Sequence, residues 1–127
     1  MTDPTQCPCG GGPYAGCCGP LHAGDAQATT AEALMRSRYS AFALGLPDHR
    51  WRTWHPRTRP ERVTVDSSEW TGLEIIDVVD GGEHDSTGVV EFIAHYRDGR
   101  RPGRVPERSR FERRAGRWMY VDGDLRP

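Results

Sequence analysis

Apolar positions first recur at helical spacing and later alternate. Leu34, Met35, Tyr39 and Phe42 fall on one face of a helix, with Arg36 and Arg38 on its flanks. Thr29 precedes this run with Glu32 three residues on, which predicts Thr29 as the N-cap of a capping box; Gly45 is the expected stop after Leu44. A second short helix is expected over roughly Pro47 to Trp54, opened by its proline, before Pro56 and Pro60 force extended chain. The period then becomes two. A short strand is predicted at Arg62 to Val65, followed by Trp70 to Val79, Thr87 to Arg97, Glu107 to Arg114 and Arg117 to Val121. Asp80-Gly81-Gly82, Asp98-Gly99 and Ala115-Gly116 are the turn signals between the longer ones, and Arg100 to Pro106 reads as too irregular for a tight hairpin. Alternation puts Val90, Phe92, Ala94 and Tyr96 on one face, and Val89, Glu91, Ile93 and His95 on the other. In the next strand Glu107, Ser109 and Phe111 share a face, opposite Arg108, Arg110 and Glu112. Helices first and an antiparallel meander afterwards predict an α+β fold, with the helices packed on one face of the sheet.

The first 24 residues follow neither period. Their four cysteines, Cys7, Cys9, Cys17 and Cys18, surround a glycine-rich spacer, and the chain has no others. Four thiolates this close can close a tetrahedral shell around one structural zinc ion. Two disulfides are the alternative, but neighbouring cysteines this near cannot bridge without strain, so only cross-pairings remain. The N-terminus Met1-Thr2-Asp3-Pro4 lacks the basic and apolar parts of an export signal, so a reducing cytoplasm is the expected location, which favours zinc. His22, four residues past Cys18, is the alternative fourth ligand. Tyr14 and Leu21 are the segment's large apolar side chains, too few for a core, so metal would supply its folding energy. Net charge is −1, which provides no global field for nucleic acid or an anionic membrane surface, and no apolar run approaches a membrane span. All 17 basic residues are arginine. Eight of them lie between Arg97 and Arg114, interspersed with acids, which reads as a solvated sheet face rather than a phosphate-binding stripe.

The cysteine block resembles the SEC-C motif, the small zinc module at the tail of the SecA translocation motor. Its spacer is one residue shorter than usual here, and Gly11-Gly12-Pro13-Tyr14 lacks the usual lysine. Helices followed by a curved sheet look like the cone of nuclear transport factor 2. Leu34-Met35-Arg36-Ser37-Arg38-Tyr39, Thr53-Trp54-His55-Pro56, Glu107-Arg108-Ser109-Arg110-Phe111 and Gly116-Arg117-Trp118 together resemble the bacterial YchJ-like family, across nearly the whole chain. The resemblance implies a zinc knuckle over residues 1–24 and a cone-shaped domain, nuclear transport factor 2-like, over 25–127. It also implies that outer sheet faces can pair into homodimers, with Val89 and Ile93 as natural members of such a patch.

Cones of this kind enclose a pocket between sheet and helices. The strand parity would turn Glu107 and Ser109 inward with Phe111, while Trp54-His55-Pro56 and Tyr120 could present an imidazole and a phenol to the same space. The plainer reading of Glu107 is an ion pair with Arg36 or Arg38, and His55 is more simply a corner hydrogen bond. No catalytic nucleophile stands out, since the cysteines are committed to metal and Ser109 has no triad context. Two functions follow. The favoured one is an adaptor whose knuckle contacts a protein or ribosomal partner, as the SecA module contacts SecB and ribosomes. The other is a small-molecule-binding or enzymatic cone using Glu107, His55, Ser109 and Tyr120.

Overall fold

The computed structural model describes residues 6–63 and 68–126. A 3-10 turn at Tyr14–Gly16 and helix α1 at Gly19–Ala23 form the cysteine segment; α2 (Ala31–Leu44) and α3 (Pro47–Arg52) follow. The sheet comprises β1 (Glu69–Asp80), β2 (Thr87–Asp98), β3 (Arg101–Arg114) and β4 (Arg117–Leu125), antiparallel in the order β1-β2-β3-β4. This is the expected α+β arrangement. The strand expected at Arg62 to Val65 runs into residues 64–67, outside the described residues.

Helix α2 begins one residue later than expected. Thr30 is the N-cap, its Oγ1 accepting from Ala33 N–H at 3.0 Å, while the Thr29 carbonyl accepts from the Trp118 indole at 3.2 Å. That contact holds Thr29 in the approach to the helix. Glu32 therefore leaves the capping box and pairs with Arg36 at 2.9 Å, one turn on. Gly45 closes the helix in the left-handed region at φ 68°, and α3 ends at Arg52 rather than Trp54.

The other revision is β3, which starts at Arg101 after a two-residue turn, with Asp98 facing Arg101. Pro102 and Pro106 are tolerated because β4 pairs with β3 only from Glu107 onward: Pro102 lies on an open edge, and Pro106, whose carbonyl accepts from Arg126 N–H at 2.8 Å, lies just before the ladder begins, where a missing N–H costs little. β4 likewise extends to Leu125 rather than stopping at Val121. The face assignments of β2 and β3 hold: Val90, Phe92, Ala94, Ser109 and Phe111 are buried under α2, while Arg108 and Arg110 lie outward. Outside, Arg108 pairs with Asp77 and Glu91, and Arg110 with Asp122 and Asp124. His95 bonds Glu74 across the β1–β2 pair at 2.6 Å. The core joins Leu34, Met35 and Tyr39 of α2 to the sheet's inner face, and Cys7, Cys9 and Cys18 belong to the same cluster. Among the described residues no helix is long and apolar enough to cross a membrane.

Candidate functional site

The four cysteine sulfurs lie within 4.8 Å of one another. Cys9 and Cys17 are separated by 3.4 Å, Cys9 and Cys18 by 3.8 Å, and Cys17 and Cys18 by 3.9 Å. Sulfurs about 2.3 Å from a central ion occupy a tetrahedron with edges of about 3.8 Å, so the cluster fits a metal shell, whereas a disulfide needs about 2.05 Å. The turn that gathers them is closed by Cys7 N–H donating to the Gly12 carbonyl at 2.8 Å and Gly10 N–H to the Cys7 carbonyl at 3.0 Å. Gly11 packs against the sulfurs: a Cβ there would stand 2.8 Å from Cys17 Sγ and 3.2 Å from Cys9 Sγ. The hydrogen bond from Cys18 is the main influence lowering the Cys9 thiol to about 4, while burial pushes Cys17 up to about 11 and the bond to Cys9 pushes Cys18 upward. Four thiolates this close would repel one another and need a cation among them.

Helix α2 completes the cluster's surroundings. Ser40 Oγ lies 3.3 Å from Cys7 Sγ and donates to Cys18 Sγ at 3.4 Å, and Arg36 Nη1 donates to the Cys9 carbonyl at 2.9 Å. His22 has both ring nitrogens engaged outside the cluster, with the Tyr14 hydroxyl at 2.6 Å and the Ser37 carbonyl at 2.8 Å. The knuckle is thus seated on α2.

The opposite side of α2 roofs a cavity of about 260 Å³ above the sheet. Its walls are aromatic, from Tyr39, Phe42, Trp54, Trp70, Phe92 and Phe111, and its polar lining includes Arg38, Glu107 and Tyr120. Arg38 is buried, at 6% exposure. Its Nη1 donates to the Arg50 carbonyl at 2.7 Å and to Thr53 Oγ1 at 2.8 Å, and its guanidinium sits over Tyr120 at 4.5 Å and Trp54 at 5.2 Å. Burial pushes Arg38 down to about 9, which leaves it charged at neutral pH. Ser109 Oγ donates to Glu107 Oε2 at 2.5 Å, and the Tyr120 hydroxyl donates to the same oxygen at 3.4 Å. Burial, followed by the Glu107 charge, pushes Tyr120 up to about 12.

The expected pair of Glu107 with Arg36 or Arg38 does not form: Arg36 is spent on Glu32 and Cys9, and no ion pair joins Glu107 to Arg38 among the described residues. Glu107 and Tyr120 do meet at the cavity. Ser109 stands behind Glu107 as its donor, buried at 1% exposure. His55 lies away from the cavity. Trp54 bridges Tyr120 and takes the inward position, so the next residue turns outward, where Nδ1 of His55 accepts from Arg57 N–H at 3.0 Å and Nε2 lies 3.9 Å from Glu112. His49 is buried at 4% exposure against Ser37. Sequence reasoning missed Arg38, although its spacing contained the signal: it lies four residues from both Leu34 and Phe42, inside the apolar stripe rather than on its flank.

The fold and the cluster define a class, a nuclear transport factor 2-like cone carrying a SEC-C-type cysteine knuckle. A family model described as the middle, NTF2-like domain of YchJ matches residues 30–123. The chain belongs to this YchJ-like family. It is 54% identical to a UPF0225 protein of Streptomyces coelicolor over 94% of both chains, and 52% identical to one of Chromobacterium violaceum over 92% of this chain and 90% of that one. The solution structure of a SEC-C motif containing protein from Rhodopseudomonas palustris superposes with a TM-score of 0.83 at 36% identity, covering 96% of this chain and 99% of the other. The crystal structure of a SEC-C motif containing protein from Psychrobacter arcticus gives 0.76 at 26% identity, over 98% and 84%.

Proposed function

We propose that this protein is a metal-stapled, ligand-binding cone. A structural zinc ion held by Cys7, Cys9, Cys17 and Cys18 fixes the knuckle on α2, and the cavity beneath α2 takes a small, largely apolar molecule. The observation that carries this reading is the cavity itself, where the Arg38 guanidinium, with Arg50 also in the lining, and the Glu107 carboxylate face aromatic walls without Arg38 and Glu107 pairing with each other. A purely structural core gains by filling such a space and by joining such charges, because protein interiors are close-packed and dry unpaired charges are costly. An adaptor that works through its knuckle requires neither feature, and its knuckle contacts Ser40 and Arg36 of its own helix.

Native mass spectrometry of protein purified without added metal or chelator, set against its denatured mass, tests both parts. The expected result is one zinc per chain together with a small organic adduct that is released on unfolding. Zinc alone, combined with no binding of small aromatic probes by the purified protein, would transfer the function to the adaptor reading. In that case Cys9→Ser should abolish pull-down of a partner while the cone stays folded.

A further inference from the structure

The polar atoms around the cavity narrow the chemistry of its occupant, an inference that rests on the ligand-binding reading above. Arg38 contributes a buried cation. One amino group of its fork is tied to a carbonyl and a hydroxyl, and stacking over Tyr120 and Trp54 holds the charge without neutralising it. The indole N–H groups of Trp54 and Trp70, whose rings line the same space, find no acceptor among the described residues, but both nitrogens are covered by surrounding atoms and do not open onto the cavity. Against the Arg38 cation the cavity presents one carboxylate. Both bonds that Glu107 accepts fall on Oε2, so Oε1 accepts none among the described residues.

Each simpler ligand leaves one of these groups unsatisfied. A plain hydrocarbon would seal Arg38 and Glu107 in a dry space without partners. A cation would oppose Arg38 and Arg50, which both line the cavity, and an anion without a donor would leave Glu107 facing like charge. We infer that the cavity binds a small apolar carboxylic acid carrying a second group that donates a hydrogen bond, a hydroxyl or an amine, with the carboxylate on Arg38 and the donor on Glu107 Oε1.

Calorimetric titration of the metal-loaded, full-length protein with 4-hydroxyphenylacetate, phenylacetate and the neutral 4-ethylphenol tests this. 4-Hydroxyphenylacetate should bind most tightly, with phenylacetate weaker by roughly tenfold for its missing donor. 4-Ethylphenol should be weaker than 4-hydroxyphenylacetate by on the order of ten- to a hundredfold, the ratio a charge-assisted hydrogen bond implies. Arg38→Met should lose 4-hydroxyphenylacetate by a similar factor while keeping 4-ethylphenol within about threefold, since only the acid uses the charge. Binding of 4-ethylphenol as tight as that of the acids would overturn the carboxylate assignment and leave the cavity a ligand site. Equal affinity for phenylacetate and 4-hydroxyphenylacetate would overturn the donor assignment. Failure of all three probes to bind would overturn the ligand-binding reading with it. The wild-type series decides these outcomes even if Arg38→Met does not fold.

Discussion

Gly123 faces Ser109 across the β3–β4 pair, and the Glu107 carboxylate lies over it where a Cβ would otherwise project. Gly123→Ala should therefore push the carboxylate from its seat, at a stability cost of about 1–3 kcal/mol for overpacking. Its preference for 4-hydroxyphenylacetate over phenylacetate should shrink, and thermal melts with the same titrations would show both effects. His49 presents a different residue-scale case. The Ser37 hydroxyl donates its one proton to the Leu34 carbonyl at 2.7 Å, so at 2.9 Å it must accept from Nε2–H of His49, which leaves Nδ1 bare and buried. Burial, with the nearby His22, Arg52 and Arg38, pushes His49 down from 6.5 to about 3. Between those values the unfolded chain carries a proton that the fold refuses, so stability falls as pH drops through that window, with a slope approaching about 1.4 kcal/mol per pH unit. Urea unfolding from pH 7 to 4 should show this slope in the wild type and a shallower one in His49→Gln. Loss of metal in acid would act on both proteins, so the difference between their slopes isolates the imidazole.

Helix α2 bears on both sites at once. Arg36 and Ser40 meet the cysteines, while Arg38, Tyr39 and Phe42 line the cavity. Removing the metal with a chelator, or Cys18→Ser, should lower the melting temperature of the whole cooperative unit rather than release a separate knuckle, because Cys7, Cys9 and Cys18 lie in the main core. A knuckle that melts alone in calorimetry, leaving the cone's transition unchanged, would contradict this. At the level of elements, strand parity was fully legible: β2 and β3 turn the side chains inward that their alternation assigned. The N-cap was misplaced by one residue because the Trp118 contact with Thr29 joins positions 89 residues apart, and no local window contains it. The first half of β3 was hidden by Pro102 and Pro106, whose acceptability depends on where β4 ends. His55 was misjudged for a related reason: its direction is set by the Trp54–Tyr120 bridge, a long-range pairing.

At the scale of the molecule, the cysteine cluster and the cavity share one helix, so the metal and the ligand proposed for them should bind with linked affinities. Chelated protein should bind 4-hydroxyphenylacetate more weakly, and by reciprocity the acid should raise zinc affinity by the same factor. Equilibrium competition with a chelator, with and without the acid, would measure that factor; a ratio of one would show that α2 keeps its position without metal. The order of helices followed by an antiparallel meander, and the clustering of the four cysteines, were readable because each has a local signature in period or spacing. The cavity's charge pattern was not. It depends on Arg38 and Glu107 staying apart, and whether two groups stop short of each other is decided by packing between α2 and β3.

All the parts of the metal site lie early in the chain. The four cysteines, Arg36 and Ser40 emerge from the ribosome before any residue of β1, which begins at Glu69, can do so. Because chains fold from the N-terminus as they are synthesised, the ion can be captured while the sheet does not yet exist. Until the strands arrive, Leu34, Met35 and Tyr39 have no sheet to cover them. A nascent chain that takes up the ion at this stage would display a helix anchored at one end with an uncovered apolar face, for as long as the ribosome takes to complete the meander.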